Sequence, residues 1–316
     1  MVRTDGAVWV RSAALAGLAL LLLAVGLGGT PSGADARRAK AEVTESPEDA
    51  ALRAAYERFA PIAIDDALMA QPGRIAAQVA ALPAHPAGPE TLVLAVGGEG
   101  YLEIFDREAR RAAAVLRVRG VRATGSAAPA LVLSNTPEQA TSGIMASPGT
   151  VALTIAAIGK RARPGDTTIV YLTSHGGRDA TMSMDAPRFD FAPLGAERLA
   201  RALDAAGLKR RIIIISACFA GSWIEPLASP TTIVLAAAAA DRTSFGCDDS
   251  RELTLFGESL LGELAHTDLS LATAFARAKA RVAASEREER ITPSLPQARV
   301  GAAMQEVWTQ GPPRAG

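Results

Sequence analysis

Residues 168–177 read TIVYLTSHGG, and residues 212–222 read IIIISACFAGS. Each stretch opens on an apolar run rich in β-branched residues and stops at a small or polar cluster bearing one reactive side chain. A continuous apolar run, without alternation, fits a strand buried on both faces, as in a parallel sheet covered by helices. Similar runs stand at 92–96 (LVLAV), 130–134 (ALVLS) and 233–239 (IVLAAAA). Helix-like amphipathic stretches at 107–118, 150–162, 194–206, 252–265 and 268–288 lie between and after them. Strands joined through helices predict right-handed crossovers and a three-layer α/β/α sandwich with a mostly parallel sheet.

In such a sheet, ligand sites lie beyond the carboxyl ends of the strands. His175 and Cys218 both occupy such ends, and the residues between them hold one helix. Neighbouring strands would then bring an imidazole and a thiol to one edge. That pair is what thiol-based acyl transfer needs: a sulfur to attack a carbonyl and an imidazole to move protons. Gly176 lets a backbone N–H approach a substrate, and with the Cys218 N–H it would form an oxyanion hole. The competing reading makes Cys218 a small core residue and His175 a structural one. Finding both at matching edges, each among small residues, favours the chemical reading.

The segments TSHGG (173–177), SACFAGSWI (216–224), AAAADRTSFGCDD (237–249) and FGESL (256–260), with GGEGYLEIFDRE (97–108) upstream, resemble the legumain family of cysteine peptidases, in particular its bacterial branch. The resemblance runs from about Thr91 to about Gly301. It implies a caspase-like sandwich and a His175–Cys218 dyad. It also implies endopeptidase activity after asparagine, sometimes aspartate, or a transpeptidase or transamidase reaction through the same thioester. A non-catalytic caspase-like interaction module is the reading of a different class. For the substrate pocket, Arg107 best matches the family's arginine, with Arg110 beside it. Glu258 falls where the family often has an aspartate, and Ser244 where it has a serine. Ser216 stands where animal and plant members have a glutamate. A substrate amide needs a donor and an acceptor, so a carboxylate missing there bears on asparagine preference. Arg107, Arg110 and Glu258 read equally well as a solvated helix face. The resemblance calls for no cofactor and no metal.

Cys247 has three readings: a core residue, a wall of the pocket, or a disulfide partner that would silence Cys218 in an oxidising compartment. His85, set among prolines, and His266, near a helix end, read as surface residues. Phe105, Trp223 and Phe245 read as packing residues, Trp223 close enough to the nucleophile to wall the cleft. Gly97-Gly98-Glu99-Gly100 lacks the spacing of a dinucleotide loop.

The chain has 316 residues, with 33 basic and 33 acidic side chains. This balance provides no basic footprint for nucleic acid. The two cysteines and three histidines leave little room for a metal cluster. A peptide or protein is the expected partner, and oligomeric state is left open. Arg3 and Arg11 precede an apolar run, Ala13 to Leu27, followed by the small-x-small pattern Ala34-Asp35-Ala36. Residues 1–36 thus read as a signal peptide for export to the periplasm or medium, or as an uncleaved inner-membrane anchor, the only membrane contact expected. Residues 37–90 read as a linker and helical segment, and residues 91–316 as the peptidase domain.

Overall fold

The computed structural model describes residues 45–124 and 127–310. The apolar run at the amino terminus lies outside the described residues, among which no helix is long and apolar enough to cross a membrane.

Helices α1 (Pro47–Phe59), α2 (Ile64–Met69) and α3 (Gln71–Ala80) precede strand β1 (Thr91–Gly97). Then follow α4 (Ile104–Thr124), β2 (Ala130–Ser134), α5 (Pro137–Thr141), α6 (Pro148–Arg161) and β3 (Thr167–Thr173). A short hairpin, β4 (Thr181–Met182) and β5 (Leu194–Gly195), leads into α7 (Ala196–Ala205) and β6 (Arg210–Ser216). After a 3-10 turn at Ala220–Trp223 come α8 (Ile224–Leu227), β7 (Thr232–Ala236), α9 (Leu255–Leu264), α10 (Leu271–Glu288), β8 (Gln297–Val300) and α11 (Gln305–Gln310).

The sheet runs β2-β1-β3-β6-β7-β8. Its first five strands are parallel and β8 closes one edge antiparallel. Fully buried isoleucines and valines of β1, β3, β6 and β7 make the middle layer, which is what their unbroken apolar runs require. The helices form two packing sets, α4 with α9 and α10, and α3 with α6 and α7. The expected sandwich with a mostly parallel sheet is therefore the observed architecture. Strand β8 escaped the sequence reading because Gln297, Ala298 and Arg299 face solvent on an edge, where no apolar run is needed.

Local chemistry fixes where the helices begin. Ser147 and Thr150 form a reciprocal capping box at the start of α6, with Pro148 in the first turn, and Thr254 and Ser270 cap α9 and α10. The described residues from Glu48 onward form one compact unit. Ile75 of α3 joins the main core, while Phe59, Ile62 and Ala67 pack with Ala140, Met145, Ala186 and Phe189 in a second cluster. Arg188 ties this segment down by donating to the carbonyls of Phe59, Ala60 and Ile62 at 2.7, 2.8 and 2.9 Å. These carbonyls lie at and just past the carboxyl end of α1, where a cation is favoured.

His85 corrects the sequence reading. Its side chain is only 6% exposed, and its Nε2 lies 2.8 Å from Asp166 at the opposite end of the sheet from His175. The other ring nitrogen lies 2.7 Å from the Pro86 carbonyl. Acceptors at both ring nitrogens favour the protonated form and raise the His85 pKa, chiefly through Asp166. The proline-rich segment folds back along the sheet, which the sequence pattern alone did not reveal. His266 is exposed, as expected.

Candidate active site

Thr173 of β3 pairs with Ser216 of β6, so His175 and Cys218 each stand two residues past the same rung. The loops that follow are in direct contact. A Cβ added to Gly176 would lie 2.2 Å from the Cys218 carbonyl oxygen and 3.0 Å from the Ala217 Cβ, so only glycine fits there. Ser183 donates to the His175 carbonyl at 2.9 Å, and Gly177 donates to Thr181 at 2.8 Å. These bonds flank Gly176, which pairs with Met182 in the position without its own ladder bonds. Its N–H and C=O therefore point away from Met182. Among the described residues, neither the Gly176 nor the Cys218 N–H donates to a carbonyl.

Cys218 leaves β6 through a sharp turn. Phe219 is left-handed at φ 55° and donates to the Arg242 carbonyl at 2.7 Å. A non-glycine residue in that region is held there by its surroundings. Ser244 brackets the half-buried thiol: its N–H donates to Sγ at 3.3 Å, and Sγ lies 3.4 Å from its carbonyl. Burial raises the Cys218 pKa, against the Ser244 N–H, which favours the thiolate. His175 keeps an exposed edge while its ring meets Phe105 edge-to-face, centroids 5.0 Å apart at 78°. Desolvation lowers the imidazole pKa from its usual 6.5. Both shifts favour the neutral forms, imidazole and thiol.

The loop from Ser244 to Thr254 is anchored by a buried carboxylate that sequence reasoning missed. Glu108 of α4 has no exposed surface; it accepts from the Tyr171 hydroxyl and the Thr254 N–H, each at 2.8 Å. Thr254 in turn shares a hydrogen bond with Ser216 at 3.0 Å. At the loop's tip, Asp249 accepts from the N–H groups of Glu103 and Ile104 and so caps α4 at long range. A capping residue 145 positions away leaves no local sequence signal. Replacing Glu108 with alanine would strand the Tyr171 hydroxyl and the Thr254 N–H and open a cavity. It should cost about 3 kcal/mol, read as a lower chemical-denaturation midpoint with an unchanged slope.

Residues 156–306, which carry both loops, match the model of the Peptidase C13 family, a family of cysteine peptidases. The chain is a cysteine peptidase. No curated protein matches it. Strand β1 and the segment with Arg107 lie before the matched residues.

The expected pocket residues of the peptidase do not converge as a set. Arg107 is spent on the loop, donating to Asp249 at 3.0 Å and to the Arg251 carbonyl at 2.9 Å. Arg110 pairs with Asp106 and Glu138. Ser216 is buried against Thr254, and exposed Glu258 lies 3.4 Å from Arg251. Only Ser244 reaches the thiol, and it does so through its backbone. Phe105 and Trp223 are fully buried packing residues, so Trp223 lines no open cleft; Phe245 packs against the main core. Cys247 is a free thiol, as is Cys218, and burial pushes its pKa up to about 12, with the charges of Cys218 and Glu108 adding to the rise. It stands beside the Cys218 loop, its thiolate disfavoured by burial.

Among the described residues, no group of three or more potential ligand side chains could hold a metal ion. Glu99, passed over in the glycine-rich stretch, is a buried carboxyl. Desolvation pushes its pKa up to about 7, against hydrogen bonds from the Tyr101 and Leu102 N–H groups.

Proposed function

We propose that the protein is an exported endopeptidase that cuts peptide bonds with Cys218 as nucleophile and His175 as general acid and base. The observation that carries this reading is the backbone contact of Gly176 with Cys218, which joins the two loops at the carboxyl edge of β3 and β6. As Cys218 Sγ attacks the substrate carbonyl, its proton passes to the His175 imidazole and a carbon–sulfur bond forms. The N–H groups of Gly176 and Cys218 hold the oxyanion. The carbon–nitrogen bond then breaks as His175 gives the proton to the leaving amine. Water, deprotonated by His175, releases the acyl group from the thioester. Phe105, in place of a polar third residue, packs the imidazole.

Export rests on the amino-terminal apolar run, cleaved or kept as an anchor. Cleavage after asparagine or aspartate rests on the resemblance, with Ser244 at the site. Arg107, Ser216 and Glu258 would contribute only if Arg107 left Asp249, Ser216 left Thr254 and Glu258 left Arg251.

The pH dependence follows from the two shifts. His175 must be neutral to take the thiol proton, and its pKa lies below 6.5; the Cys218 pKa lies above its usual 9. Hence kcat/KM should hold a plateau through neutral pH, falling only below pH 6.5 on the acid side and above pH 9 on the alkaline side. An acid limb centred above pH 7 would contradict the neutral dyad.

The test of the activity uses fluorogenic peptides that differ only in the residue before the cut bond. Cleavage lost on alkylation of Cys218 supports the proposal; cleavage that survives complete alkylation overturns it.

A further inference from the structure

The turn after His175 carries an arginine that the dyad does not use. Arg178 is exposed, and its guanidinium carbon stands 4.4 Å from the centroid of the Phe219 ring. Among the described residues it makes no ion pair, in contrast to Arg107, Arg110 and Arg251, each of which has an acidic partner. The turn that presents it is held internally. Gly177 donates to Thr181 at 2.8 Å, the Thr181 hydroxyl donates to Asp179 at 2.7 Å, and Ala180 is left-handed at φ 57°. Asp179 is thereby engaged within the turn rather than with Arg178. Phe219 is equally fixed, by its own left-handed backbone and its bond to Arg242. A permanent positive charge on the His175 loop therefore rests on the residue directly after Cys218. Stacking uses the face of the guanidinium and leaves the in-plane N–H donors free, in the fork that suits a carboxylate.

We propose that Arg178, stacked on Phe219, is a specificity-determining residue that receives an acidic side chain from the leaving-group half of the substrate. The inference rests on the dyad reading above. An imidazole that protonates the leaving amine faces that amine, so the chain beyond the amine runs along the loop that carries His175 and Arg178. The substrate class is a peptide with aspartate or glutamate just after the cut bond.

The test compares peptides identical except for Glu, Gln or Lys at the first position after the cut. The wild type should prefer Glu over Gln by about fivefold, with Lys last, and the preference should shrink with added salt. In Arg178→Gln the Glu-to-Gln ratio should collapse to about one. A wild type that treats Glu and Gln alike, or a variant that keeps the wild-type ratio, overturns the proposal. Binding of the same labelled peptides to Cys218→Ala, with and without Arg178→Gln, asks the question without turnover. A Glu preference there that disappears with Arg178 upholds the subsite even if the dyad reading fails; equal binding of Glu and Gln peptides to Cys218→Ala overturns it.

Discussion

Replacing Cys218 with alanine should lower kcat/KM on any cleaved peptide by at least about 10⁴-fold, because the variant lacks the proposed nucleophile and only binding and the proposed oxyanion donors remain. His175→Ala should fall to a similar level, since the Cys218 pKa is raised by burial and little thiolate forms without a base. The two losses should not add, as expected for groups that act on one proton. Both variants should fold as the wild type does. The His175 ring keeps an exposed edge and meets Phe105 on one side, while the half-buried Cys218 thiol makes only weak bonds to Ser244. Thermal unfolding within a few degrees of wild type, with activity gone, is the expected pair of results. A Cys218→Ala variant that retained a tenth of the activity would remove Cys218 from the mechanism.

Gly176→Ala should damage activity severely. The added carbon would stand 2.2 Å from the Cys218 carbonyl oxygen, where the obstacle is backbone rather than a movable side chain. The His175 and Cys218 loops must part by about 1 Å, and displacement on that scale costs about 10²-fold in rate. The strain should also remove about 1–3 kcal/mol of stability. The loss should fall on kcat more than on KM, since the oxyanion donors act in the transition state. Gly262→Ala is the matched control. It adds the same methyl in α9 with no atom within 4 Å, and should leave activity unchanged while stabilising slightly. Equal activity of Gly176→Ala and Gly262→Ala would show that the loop contact is not needed.

Much of this arrangement was legible before any coordinates. The runs at 168–174 and 212–216 carry their information locally, because a strand buried on both faces must be apolar at every position. The loops after them were legible for the same reason: small residues mark where backbones come close. The pocket was not legible. Arg107 has the right residue type at the right distance from β1, yet Asp249, more than a hundred positions later, claims its guanidinium. Glu108, one residue on, looks like any charge on a helix face until α9 packs over it and Gly257 closes against its carboxylate. His85 was read as exposed because prolines mark a break in regular structure without saying where the chain then goes. Its pairing with Asp166 is a contact across 81 positions.

The sequence by itself determined the layer order, the parallel core strands and the two loops that bear an imidazole and a thiol. Burial periodicity and glycine placement are properties of short segments, and they survive whatever the rest of the chain does. Only the tertiary structure decided which charges are spent on holding the loops. It set Asp249 on α4, Glu108 beneath Thr254 and Arg178 over Phe219, that last guanidinium having no acidic partner among the described residues. The physical reason is that a side chain's partner is fixed by distance in space, and ion pairs and buried carboxylates form between segments whose separation along the chain carries no signal.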